Sequence, residues 1–207
     1  MRTILLFLHN MPIDEIESMR EKHDPLFGLI RPHITIVFPF ESSISNDELK
    51  SHILNLAKGI GEIEIEFASR ITSVRDYLFL GVEKGKEQIE KLHDKLYTGP
   101  LLRFLKRDIP YIPHVTVGRE SSPELATEIA KEIPSFHEKL KCVINRISVE
   151  RIGKNGESII EFEVPLQKKL TKVSFFISYH EVKHQSHHYN RRLVKRLVFC
   201  FDILYSY

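Results

Sequence analysis

Apolar residues alternate with polar ones in several short runs of the chain, and elsewhere they recur every three or four positions. Glu62-Ile63-Glu64-Ile65-Glu66-Phe67 is the cleanest alternation. Successive side chains on a strand point to opposite faces, so this run predicts a strand with one wet face and one buried face. The same rule predicts strands over Thr3–His9, His33–Phe38, Glu62–Ile71, Tyr77–Val82, His114–Gly118, Leu140–Arg151 and Ser158–Val164. Helical spacing predicts helices over Ile13–Lys22, Asn46–Lys58, Lys86–Leu96 and Pro123–Glu132. Several boundaries carry their own chemistry. Ser45 with Glu48 three residues on is a capping box, and Ser122 before Pro123 is an N-cap with proline at the first helical position. Asn155-Gly156 between two alternating runs is a hairpin turn.

Two of these strands open alike, with Pro32-His33-Ile34-Thr35-Ile36 in one and Pro113-His114-Val115-Thr116-Val117 in the other. Proline is tolerated at the first residue of a strand, so both strands start at the same point relative to the histidine. Each is followed by a serine-bearing loop, an amphipathic helix and a pair of strands. That repetition predicts an α+β fold with pseudo-two-fold symmetry. Its two lobes would each be a small antiparallel sheet flanked by helices, with the histidine strands facing each other across a central groove. A chain of 207 residues is long enough for such a bilobal domain.

Composition adds bounds. At 42% hydrophobic and 28% charged residues the chain is of ordinary globular make-up. The apolar start, Met1 to His9, is short and lacks a small-residue cleavage site, so it reads as a strand and not a signal peptide. Two cysteines, Cys142 and Cys200, are too few for a disulfide framework, which fits a reducing, cytoplasmic setting. The net charge of +2 conceals an asymmetry. Residues 171–207 hold Lys172, Lys183, Arg191, Arg192, Lys195 and Arg196 against Glu181 and Asp202, so the body before them is slightly acidic. Such a body does not hold nucleic acid by general phosphate charge, and any phosphate must be gripped locally.

The histidine strands can supply that grip. Alternation puts His33 beside Thr35 on one face and Ile34 with Ile36 on the other, and it pairs His114 with Thr116 opposite Val115 and Val117 in the same way. Two imidazoles facing one group can take a proton in and give a proton out. Threonine hydroxyls can donate to phosphate oxygens, and Arg119, five residues after His114, can offer a planar fork of donors to the same anion. Phe38, at the same offset from His33, offers an aromatic face for a base or ribose. Plainer readings stand beside these: threonine is a good strand former, a strand-end arginine is often only solvated, and phenylalanine is by default a core residue.

The pair of His-x-Thr-x motifs resembles the two-histidine (2H) phosphoesterase superfamily, and within it the bacterial and archaeal 2′-5′ RNA ligases or RNA 2′,3′-cyclic phosphodiesterases. The resemblance spans roughly Met1 to Gln167. It implies His33 and His114 as the catalytic pair, Thr35 and Thr116 as phosphate-binding hydroxyls, Arg119 as the basic residue after the second motif, and neither metal nor other cofactor. It also implies opening of a terminal 2′,3′-cyclic phosphate on an RNA end or nucleotide to a 2′-phosphate. His33 would protonate the leaving 3′ oxygen and His114 would activate water, with the reverse assignment open. Reversible 2′-5′ joining, cleavage of 2′-5′ oligonucleotides and a non-catalytic module that binds RNA ends are the alternatives. The chain departs from the usual pattern after the first motif, where Phe38-Pro39-Phe40 replaces Phe-Leu-Gly.

Outside the motifs, His9 reads as a packed or groove-edge residue, and Arg31, His23, His52, His93 and His137 read as surface. Arg103, Lys106 and Arg107 read as a solvated loop. Residues 1–170 are expected to form the phosphoesterase domain, and 171–207 a basic, His-rich extension of unknown role. His180, His184, His187 and His188 in that extension read as incidental polarity and not a metal site. Leu193 to Tyr207 is too short and too interrupted to span a membrane.

Overall fold

A computed structural model describes residues 1–167; the 171–207 extension and its histidines lie outside the described residues. The chain runs β1 (Arg2–Phe7), α1 (Asp14–His23), β2 (His33–Phe40), α2 (Asn46–Ala57), β3 (Ile63–Val74), β4 (Tyr77–Lys84) and α3 (Lys86–Leu96). It continues through a 3-10 turn (Gly99–Phe104), β5 (His114–Arg119), α4 (Pro123–Glu132), β6 (Lys141–Ile144), β7 (Arg146–Ile152) and β8 (Ser158–Pro165). Both serines read as N-caps accept from an amide in the first turn of their helix. The Ser45 hydroxyl accepts from the Glu48 amide, and Ser122 accepts from the Leu125 amide, each at 3.2 Å. Along β3, Ile63, Ile65 and Phe67 are buried while Glu64 is exposed, as the alternation requires.

The strands form one antiparallel sheet in the order β6-β3-β4-β5-β2-β1-β7-β8. This corrects the expectation of two separate sheets with the histidine strands across a groove. β2 and β5 are direct neighbours, joined by a single bridge, Ile34 to Val115. Four strands lie on each side of that seam, so the two-fold relation survives as a relation within one sheet. A second correction concerns the expected strand Leu140–Arg151, which breaks at Asn145. β6 pairs with β3 on one side of the seam while β7 pairs with β1 on the other, and no straight strand can serve both edges.

Ile34, Ile36, Val115 and Val117 are fully buried and join Leu49, Ile53, Ile89, Leu92 and Leu96 from α2 and α3 in the main core. That burial anchors both histidine strands, at about 1.5–3 kcal/mol per aliphatic side chain. Among the described residues no helix is long and apolar enough to cross a membrane.

Gly118 of β5 is needed for close approach. A Cβ there would fall 2.7 Å from His23 Cβ at the end of α1 and 2.8 Å from Leu78 Cδ1. Gly118→Ala is therefore expected to destabilise the protein by about 1–3 kcal/mol, seen as a lower urea midpoint.

Candidate active site

The bridge between Ile34 and Val115 sets the site. In an antiparallel pair, directly opposed residues share a face, and continuing this register puts His33 opposite Thr116 and Thr35 opposite His114. Ile34 and Val115 point into the core, so the four polar side chains rise together from the other face as a compact square. All four are half-buried. The two imidazoles stand side by side on neighbouring strands, where the sequence reading puts them across a groove.

Arg119 and Phe38 reach this face through a feature that alternation alone does not contain. Strict alternation would put a residue five positions after a histidine on the opposite side. Leu78 pairs with Gly118 and Phe79 with Thr116, so β5 carries one extra residue, Val117. Ile4 pairs with Val37 and Leu5 with Thr35, so β2 carries an extra residue at the equivalent place, Ile36, and a second shift follows between Val37 and Phe40. Past the extra residue, Arg119 faces Tyr77, which shares its side of β4 with Phe79 and Gly81, the partners of Thr116 and His114. The same step carries Phe38 to the side of Thr35. Continued register sends Phe38 and Arg119 to opposite ends of the square. Arg119 is exposed, pairs with Asp76 Oδ2 at 2.9 Å and lies over the Tyr77 ring at 5.0 Å. Phe38 is half-buried, with Lys106 Nζ 5.5 Å from its ring centre. Arg103, Lys106 and Arg107 are exposed, as read from sequence.

Each imidazole is held by the same contact. His33 Nδ1 lies 2.8 Å from the Arg31 carbonyl, and His114 Nδ1 lies 2.5 Å from the Ile112 carbonyl, in each case two residues earlier. A carbonyl only accepts, so each Nδ1 carries the proton and each Nε2 keeps its lone pair for the site. The segment that supplies the Arg31 carbonyl is fastened by Arg20, which is 1% exposed. Its guanidinium binds Asp24 at 2.8 Å, Glu17 at 3.0 Å, and the Leu26 and Ile30 carbonyls at 3.3 and 2.8 Å. A buried arginine is tolerable only with its donors satisfied, and these four acceptors do that. Around the rings, Phe79 stacks on His114 with centroids 3.4 Å apart, and Phe7 meets His33 edge-on at 6.0 Å.

Burial lowers the pKa of both histidines. For His33 desolvation leads, helped by the Arg20 charge and opposed by the Arg31 carbonyl and Asp24. For His114 desolvation again leads, the Ile112 carbonyl opposes it, and a charge on His33 adds to the depression, with the pKa pushed down to about 4. Both rings are therefore neutral in the free protein near pH 7.

Three histidines differ from their surface reading. His93 is 4% exposed and donates from Nδ1 to the Ile36 carbonyl at 2.9 Å. Its spacing from Ile89, Leu92 and Leu96 places it on the buried stripe of α3, a signal present in the sequence. His23 is half-buried and meets Glu120 at 2.8 Å, and His52 Nε2 lies 3.1 Å from the Leu96 carbonyl. His9 is half-buried, with Nε2 enclosed, just beyond the end of β1. Tyr111 and Tyr97, which bind the β2 backbone beside Phe38, had no signal in the motif pattern.

The chain is similar to known proteins in sequence and in fold. A sequence model described as the 2′-5′ RNA ligase superfamily matches residues 9–156. A Bacillus licheniformis protein with a provisional phosphoesterase name is 30% identical over 131 residues, covering 61% of this chain and 75% of its own. A similarly named Geobacillus thermodenitrificans protein is 26% identical over 156 residues, covering 74% of this chain and 88% of its own. Among solved structures, Escherichia coli LigT complexed with 3′-AMP matches with a TM-score of 0.52 at 19% identity, over 81% of this chain and all of its own. At that identity the likeness speaks for the fold.

Because His114 titrates near pH 4 when folded and near 6.5 when unfolded, the unfolded chain binds more protons between those values. The stability this group contributes is complete above about pH 6.5 and is lost as pH falls toward 4. His114→Gln is expected to flatten the acid side of the stability profile, measured as urea midpoints from pH 7.5 to 4; an unchanged slope would remove His114 from the account.

Proposed function

The chain belongs to the 2′-5′ RNA ligase superfamily, and from that premise we propose that it opens 2′,3′-cyclic phosphates on RNA ends or nucleotides by water, giving a 2′-phosphate without a metal. The observation that carries this reading is the square itself: two imidazoles with bare Nε2 atoms and two hydroxyls on one face, each ring locked by its own backbone carbonyl. LigT is complexed with 3′-AMP, and a nucleoside phosphate is the ligand this reading lays over the square.

In the assignment favoured here, His114 Nε2 takes a proton from water as the water oxygen bonds to phosphorus. The bond from phosphorus to the 3′ oxygen breaks, and His33 Nε2–H protonates that oxygen as it leaves. Thr35 and Thr116 donate to the non-bridging oxygens, in the bound substrate as in the transition state, and so hold the phosphate in place. A neutral His114 suits the base. His33 must start protonated, and the anionic phosphate lying against it raises its pKa for that purpose. After release, a proton returns to His33 from solvent and one leaves His114. The exchanged assignment uses the same atoms, and so does resealing of a 2′-5′ linkage, with a ribose hydroxyl in place of water.

The test is incubation with 2′,3′-cyclic nucleotides and cyclic-phosphate RNA ends with EDTA present, followed by separation of 2′- and 3′-phosphate products. Turnover to the 2′ isomer is expected, along a bell-shaped pH profile. His33→Ala and His114→Ala should each lower kcat about 100-fold or more. Loss of activity on chelation, or near-full activity in either variant, overturns the mechanism. Tight binding of cyclic ends with no product makes the protein a binding module.

A further inference from the structure

The backbone of β2 just past Thr35 is gripped by side chains at four successive residues. Tyr111 Oη donates to the Thr35 carbonyl at 3.0 Å, and His93 Nδ1 donates to the Ile36 carbonyl at 2.9 Å. Thr3 Oγ1 donates to the Val37 carbonyl at 2.8 Å, and the Phe38 amide donates to Tyr97 Oη at 2.9 Å. This is the bulge, where an extra residue disrupts the regular ladder and leaves backbone groups in need of other partners. Side chains from β1, from the end of α3 and from the segment before β5 supply them.

Three of the four grips form one aromatic block. The His93 ring stacks on Tyr111 with centroids 3.7 Å apart and planes 9° apart, and it meets Tyr97 edge-on at 4.8 Å. Phe38 sets its own ring edge-on to both His93 and Tyr111 at 6.4 Å. His93 and Tyr97 are buried and Tyr111 is half-buried. Burial raises the pKa of both tyrosines, so each keeps its hydroxyl proton. The matching bend in β5 is secured differently, by close packing of Gly118 against His23 and Leu78 and by the Arg119–Asp76 pair. The block is thus a property of one end of the site and not a requirement of the repeated bulge.

We propose that His93, Tyr97 and Tyr111 are positioning residues for substrate: they fix the bend in β2 so that the Thr35 hydroxyl and the Phe38 ring stay aligned with the bound nucleotide, and they govern affinity, not proton transfer. The inference rests on the phosphoesterase reading above. Its logic is the division of labour along β2. His33 lies before the bend and is oriented by the Arg31 carbonyl on a segment that Arg20 closes, so loosening the bend leaves that ring in place. Thr35 and Phe38 lie at the bend and follow it.

Tyr97→Phe and Tyr111→Phe each delete one hydroxyl and keep the ring, so the core stays filled. With a 2′,3′-cyclic nucleotide as substrate, each is expected to raise KM about tenfold, the worth of one hydrogen bond, with kcat within about twofold and both limbs of the pH profile unmoved. His93→Gln, which keeps an N–H donor, should retain affinity that His93→Leu loses. Phe38→Ala combined with Tyr111→Phe should cost less than the product of the two single effects, since both act on one contact. A fall in kcat at constant KM, a displaced pH limb, or full multiplicativity in that double variant overturns the positioning role while leaving the reaction standing. A wild-type protein that turns over neither cyclic phosphates nor 2′-5′ linkages overturns the reading and this inference together.

Discussion

One cross-strand bridge holds the site together. Ile34 against Val115 is the single point at which β2 and β5 pair, and everything polar around it follows from the pleat. The two aliphatic side chains go down into the core, so their four neighbours must come up. Because the bridge lies on the pseudo-two-fold seam, each histidine is offered a threonine from the other strand. A slip of one residue would send every imidazole and hydroxyl to the wrong face. The buried aliphatic anchors on both strands hold the register against that slip.

The locking of the rings is equally economical. A carbonyl two residues before each histidine fixes its tautomer, so both present the same nitrogen outward in the same protonation state. Symmetry of this kind gives two bases and no acid. The substrate must break it, by placing its negative charge nearer one ring than the other. Burial lowers both pKa values, and the Arg20 and Asp24 charges, felt by His33 alone, act on it in opposite directions.

Much of this was legible in the chain. The two Pro-His-x-Thr-x runs marked the strands, and period-two alternation put the right residues on one face. What alternation could not supply was the bulge, because an extra residue is visible only as a miscount against a neighbouring strand. Arg119 and Phe38 therefore share the face of the histidines, where strict alternation would have turned both away. The joining of two expected sheets into one also escaped, since it depends on a lone bridge between segments eighty residues apart. His93 was misread for a different reason: its polar side chain concealed a position on the inward stripe of α3.

The order of strands has a consequence for how such a molecule can be divided. β3 follows the first motif in the chain but lies beyond β4 on the far side of the seam, while β7 follows the second motif and lies beyond β1 on the near side. Each half is thus completed by an element borrowed from the other. A polypeptide carrying one motif would need that strand from a twin to complete the same sheet, whereas a chain carrying both motifs holds the exchanged strands on one covalent backbone.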